Sequence, residues 1–286
     1  MKKINCLILM TVIFVGCKNQ SKNQSKTINT NYTATEIDKT VDKKPERNEV
    51  TKVSWSYEKD DTGLENWKNL SDDFSKCGGQ SQSPVNISTN NTSTRYILRQ
   101  PEFYYGKSLT NILNNGHTLR FNIEGYHSVK LNGKDYRLLQ FHYHILSEHT
   151  IDVEHMPLEV HFVHQHNKTD YAVIGVMYKE GKENPLLKSN LDKFPIEKEV
   201  YNSNKPIDLL EILPDNKSYY HYNGSLTTPP CNEVVNWYLL IDPIEASKKQ
   251  LDRMSQILNN DHRPFQNLNG RRISFYLDQP KLLTKN

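Results

Sequence analysis

The sequence predicts a mainly β (α+β) domain, built on a large, twisted, mostly antiparallel sheet with a few short helices. Three observations carry this. From Trp55 onward, short runs alternate apolar and polar residues at strand length. Turn dipeptides separate those runs: Asn114-Asn115-Gly116, Asn132-Gly133, Asn223-Gly224 and Asn269-Gly270. Helical periodicity is scarce, and Ala246–Leu258 is its best case.

The elements follow in order. Strands are expected at 118–123, 136–146, 158–164, 171–178, 234–241 and 272–277. No repeat or linker divides 53–286, so that whole stretch reads as one domain. Ahead of it the texture differs. Residues 18–52 are rich in Lys, Asn, Gln, Ser and Thr, and Lys-Asn-Gln-Ser repeats at 18–21 and 22–25. Such a segment cannot bury enough apolar surface to fold, and it reads as a flexible polar tether. Residues 1–17 have a targeting shape: Lys2-Lys3, then an apolar run from Leu7 to Val15 too short to span a bilayer as a stable helix. The run ends in Gly16-Cys17, which resembles a bacterial lipoprotein signal with Cys17 as the lipidated residue. An ordinary secretory signal with an incidental Cys17 is the other reading. Both export the chain, and the first anchors it to the cell-envelope membrane on the periplasmic or outer side.

The chain has four cysteines and a formal charge of +3. The net positive charge lies before residue 54, leaving the domain slightly acidic, so there is no nucleic-acid footprint. Cys6 leaves with the signal and Cys17 carries the lipid. Cys77 and Cys231 remain as two thiols in an oxidising compartment, and they are expected to pair.

The chemistry concentrates in two strands. Gln140-Phe141-His142-Tyr143-His144 puts His142, His144 and Gln140 on one strand face, with Phe141 and Tyr143 on the other. Glu159-Val160-His161-Phe162-Val163 puts Glu159, His161 and Val163 on one face. Side by side, the two strands converge three imidazoles. Three histidines with one open position is the ligand set of a catalytic zinc. Gln140 and Glu159 stand two residues before a ligand on its own face, where an acceptor can fix the ring's tautomer.

With these segments in view, the chain resembles the α-class carbonic anhydrases over nearly all of 53–280. The likeness rests on Trp55-Ser-Tyr57, Cys77 through Ile87, Asn114-Asn-Gly-His117 and Gln140 through His144. It continues in Ser147-Glu-His-Thr150, Glu159-Val-His161, Gly224 through Cys231 and Leu268-Asn-Gly-Arg271. The resemblance implies zinc-dependent, reversible hydration of CO2 to bicarbonate and a proton, with one zinc per chain on His142, His144 and His161. Three neutral ligands leave the metal's charge on its fourth position, which acidifies a bound water to near pH 7, the known value for this family. The same resemblance implies that Thr227 orients the nucleophile and donates to Glu148, and that His117 shuttles protons. It implies a CO2 pocket of Val163, Val173, Leu226, Thr228, Val235 and Trp237. Sulfonamides and anions are the expected inhibitors, and the oligomeric state is left open.

Three positions depart from the family pattern: Ser56 for Gly, Asp261 for Asn and Asn267 for Pro. The sign of any effect from the Asp261 charge is not readable from sequence. His149, His155, His164, His166, His221 and His262 read as structural or exposed. The competing reading is a catalytically weak, carbonic-anhydrase-like binding or adhesion lipoprotein. Such relatives typically lack a zinc histidine, whereas this chain keeps all three.

Overall fold

A computed structural model describes residues 53–94, 97–258 and 261–278. The expected signal at 1–17 with Cys17, and the tether at 18–52, lie outside the described residues. The fold is a mixed sheet of 13 strands with two smaller sheets beside it. Six strands position the site: β1 (Leu119–Ile123), β2 (Lys134–His144), β3 (Leu158–Asn167), β4 (Asp170–Glu180), β5 (Tyr219–Gly224) and β6 (Val235–Leu240). Their order is β1-β2-β3-β4-β6-β5. All neighbours are antiparallel except β4 and β6, which run parallel.

Alternation sorts side chains onto two faces. One face buries Phe121, Phe141, Tyr143, Val160, Phe162, Ile174, Val176 and Tyr238 in the main core. Phe121 stacks on Phe141 with ring centroids 4.4 Å apart. Helices α1 (Pro185–Asn190) and α2 (Lys248–Leu258) add Leu186, Leu187, Leu251 and Met254 to the same core. The Asn184 side chain caps α1 by accepting from the Leu186 and Leu187 amides, and Pro185 occupies the first turn, where its missing N–H costs nothing. The opposite face holds a second cluster of Val173, Met177, Tyr222, Val235, Trp237 and Leu239. The histidines share that second face.

The six expected strands all form, with ends shifted by a few residues. The helix begins at Lys248 rather than Ala246, because Ala246 closes a short strand paired with β4 and Ser247 Oγ accepts from the Gln250 amide at 3.4 Å. Asn132-Gly133 and Asn269-Gly270 turn as expected, each with positive φ at both residues. Asn223-Gly224 does not turn. It ends β5, and a Cβ at Gly224 would fall 2.1 Å from Ser83 Oγ and 3.1 Å from Trp237. That glycine answers to close packing rather than to φ. A register shift between Val163 and His164 was also missed. It leaves Leu139 unpaired and exposed beside Gln140.

Cys77 and Cys231 form a disulfide across a sequence separation of 154. It packs with Trp67, and Trp55, Tyr57 and Phe74 lie against this cluster. The bridge joins the segment that opens the domain to the loop carrying Thr227 and Thr228.

Candidate metal centre

The site is built on β2 and β3, with His161 directly opposite His142. One ligand atom from each of His142, His144 and His161 falls within 4.8 Å of the others. Each ring has one nitrogen occupied. His142 Nδ1 donates to Gln140 Oε1 at 2.9 Å. His144 Nδ1 donates to the Asp261 main-chain carbonyl at 2.7 Å. His161 Nε2 donates to Glu159 Oε1 at 2.8 Å. The acceptors are an amide oxygen, a carbonyl and a carboxylate, so the lone pair of each neutral ring lies on the other nitrogen. Those are Nε2 of His142, Nε2 of His144 and Nδ1 of His161.

Sequence reasoning named Gln140 and Glu159 as neighbours of the rings but missed the third acceptor. A main-chain carbonyl at Asp261 carries no residue-type signal. It also means that His144's contact does not depend on the Asp-for-Asn departure. Gly175 was missed too. It stands opposite His161 on β4, and a Cβ there would lie 2.9 Å from Glu159 Oε1.

Glu159 is shared. Its Oε1 also accepts from His149 Nδ1 at 2.8 Å, and its Oε2 accepts from the His149 amide at 2.9 Å. His149 reaches on through Nε2 to Tyr222 Oη at 2.6 Å, Tyr222 contacts Ser83 Oγ, and Ser83 Oγ accepts from the Ser225 amide. His149 is thus a buried structural histidine, as expected. Burial favours the neutral carboxyl of Glu159, but the facing rings of His149 and His161 outweigh it and hold the group well below the ordinary carboxylate range.

Burial is the largest influence on the rings as well. It pushes His142 well below the ordinary imidazole value, and His144 and His161 push the same way. His161 is lowered by burial despite Glu159. At His144 burial also lowers, but Glu148 and Asp261 outweigh it and raise the ring. The effect left open for the Asp261 charge is to raise His144, while burial, reinforced by Glu148, pushes its own carboxyl well above the ordinary range. Its Oδ1 accepts from the Ile145 amide, and its Oδ2 has no hydrogen-bond partner but lies 3.9 Å from His144 Nδ1.

Glu148 is buried, and its Oε1 accepts from the Arg263 amide at 2.9 Å. Its Oε2 lies 3.6 Å from His144 Nε2 and 3.8 Å from His161 Nδ1. Both Glu148 Oε2 and His144 Nε2 are buried without a hydrogen-bond partner. Electron-rich atoms converging this way repel one another unless positive charge lies between them, so the residues fit a cation. The expected Thr227–Glu148 hydrogen bond is not made, since the free oxygen of Glu148 turns toward the rings.

A cavity of about 160 Å³ opens on the cluster, lined by Trp55, Tyr57, His117, Arg120, His142, His144 and Thr228 among others. His117 is placed by its turn: Gly116 has φ +85°, and Asn115 Oδ1 accepts from the His117 and Thr118 amides. Its ring stacks on Trp55 at 4.0 Å. Of the six expected pocket residues, Thr228 lines this cavity. Val173, Val235 and Trp237 are buried in the apolar cluster on the histidine face, with Val163 and Leu226 packed against it. Trp237 meets His161 edge-on at 4.8 Å, covering that ring.

Residues 62–276 match the family model described as eukaryotic-type carbonic anhydrase. The chain belongs to the eukaryotic-type carbonic anhydrase family. It is 37% identical over 224 residues to a carbonic anhydrase of Pectobacterium atrosepticum, covering 77% of this chain and 90% of that one. It is 37% identical over 220 residues to a carbonic anhydrase of Neisseria gonorrhoeae, covering 76% and 86%. A solved α-carbonic anhydrase of Thermovibrio ammonificans, in complex with the inhibitor sulfanilamide, superposes with a TM-score of 0.75 at 37% identity. That match covers 78% of this chain and 99% of the other. Family membership accords with the mixed sheet and with a histidine-lined centre at the foot of a cavity.

Proposed function

We propose that the chain is a zinc carbonic anhydrase that interconverts CO2 and bicarbonate, with the ion held by His142, His144 and His161. The observation that carries this is the fixed tautomer of all three rings, each presenting a lone pair to one point. Zinc bound there supplies the Lewis acidity that readies a water for attack on CO2 near neutral pH.

The chain's own residues do the rest. Gln140, the Asp261 carbonyl and Glu159 hold the ring protons away from the centre. Thr227 accepts a hydrogen bond from the attacking water, and Glu148 Oε2, which has no hydrogen-bond partner among the described residues, stays turned toward the rings. Trp237 and its apolar neighbours keep bulk water off His161. His117 lines the same cavity as His142 and His144, and its imidazole takes the released proton toward solvent. A sulfonamide is the expected inhibitor, a reading supported by the solved Thermovibrio ammonificans relative, which is a complex with the inhibitor sulfanilamide.

Export belongs to the same reading. A disulfide fits an oxidising compartment, and residues 1–17 with Cys17 would anchor the chain to the cell envelope through the 18–52 tether.

The test is stopped-flow CO2 hydration with parallel zinc analysis. The intact protein should carry one zinc and hydrate CO2, and His161→Ala should lose both. His117→Ala should keep its zinc and kcat/KM while kcat falls, and imidazole buffer should restore the lost rate. Stoichiometric zinc and full activity in His161→Ala would refute the ligand assignment.

A further inference from the structure

We propose that Arg120 forms an oxyanion subsite in the cavity wall beside the histidine cluster, where it holds the bicarbonate product. The inference rests on the reading that this cavity interconverts CO2 and bicarbonate.

Arg120 lies on β1 in register with His142, so both side chains leave the same face of the sheet. It lines the cavity together with His142, His144 and Thr228. Its Nε is buried without a hydrogen-bond partner, and none of the hydrogen bonds or ion pairs among the described residues includes it. The other inward arginines differ. Arg263 donates to Gln82, Ser83 and Cys77, and Arg271 donates to Leu268, Asn223, Gln82 and Asn267. Those two tie loops together. Among the described residues, the Arg120 side chain makes no such tie.

A guanidinium offers planar, paired N–H donors that match the two oxygens of a carboxylate-like anion. A buried donor left unpaired is costly, and native proteins seldom retain one without a ligand or a function to explain it. The two carbon species of this reaction differ in the property that Arg120 reads: CO2 is neutral, and bicarbonate is a planar monoanion of the right shape. Arg120 therefore binds product in preference to substrate and sets the affinity for bicarbonate in the reverse direction.

The experiment compares zinc-loaded wild type, Arg120→Gln and Arg120→Lys. Dissociation constants for 13C-bicarbonate and for acetate are measured by NMR, with zinc content determined on the same samples. In Arg120→Gln both anions should bind about tenfold more weakly at unchanged zinc, and the KM for bicarbonate dehydration should rise with them. Arg120→Lys should fall between, because it keeps the charge and loses the fork. Equal bicarbonate affinity in wild type and Arg120→Gln would overturn the subsite, as would weakened binding that tracks zinc loss. Weakening of acetate alone would overturn bicarbonate as the occupant. A wild type without zinc and without CO2 hydration would instead bring down the functional reading beneath it.

Discussion

His161 and His164 lie three residues apart on β3 and do opposite work. His161 faces the cavity side and shares Glu159. His164 faces the main core, where Tyr105 bonds its Nε2 and burial lowers its pKa to about 3. An unfolded histidine titrates near 6.5. Above that value neither state takes the proton. As pH falls below it, the unfolded chain binds a proton that the folded chain refuses until about pH 3, so stability drops by about 1.4 kcal/mol per pH unit from this residue alone. His164→Phe should therefore flatten the pH dependence of urea unfolding between pH 6 and pH 4 by about that slope, whatever it does to stability at pH 7. Parallel slopes in the two proteins would show that His164 is protonated in the fold. Strand alternation in the sequence puts His164 on the face opposite His161, but leaves open whether that face is buried there. It could not show that the ring of His164 lacks any acid partner, because Tyr105 arrives from a distant segment.

At the level of elements, glycines and hydrogen-bonded pairs set what the strands can carry. Gly175 clears room on β4 for the Glu159–His161 contact, and a Cβ there would sit 2.7 Å from Leu239 Cδ1 as well as 2.9 Å from the carboxylate. Gly175→Ala should cost about 1–3 kcal/mol in overpacking. By displacing Glu159 it should also weaken zinc binding about 10- to 100-fold in chelator competition. Unchanged zinc affinity would show that Glu159 does not hold the ring. The strands themselves were readable because β2 and β3 alternate cleanly. Two features were hidden for physical reasons. A bulge adds a residue without changing residue type, so Leu138-Leu139 reads as ordinary strand. Asn223-Gly224 has turn chemistry, yet Ser83 and Trp237 press on it from elsewhere in the chain, and tertiary packing overrides the local signal.

For the molecule as a whole, the disulfide ties together two chain segments that wall the cavity. Trp55, Tyr57 and Thr228 all line it, and the first two reach it on the segment that Cys77 ties to the Cys231 loop. Replacing both cysteines by serine should lower the unfolding free energy by about 2–5 kcal/mol in urea titration, with a further loss of kcat as the rim loosens. An unaltered midpoint would mean that packing around Trp67 suffices without the bridge. The pairing was legible from counting thiols, once export was assumed. What the rim does was not, since the 3-10 segment around Cys77 has no periodicity to read.

The shared carboxylate of Glu159 has a consequence for how such a protein can change. A single acceptor serves His161 and His149, and His149 leads through Tyr222 and Ser83 to the Ser225 amide, two residues before Thr227. Ligand orientation and loop position are therefore one adjustable quantity rather than two. An engineer who repacks the loop to admit a larger substrate also retunes the metal ligand, and mutations at the two ends will not add.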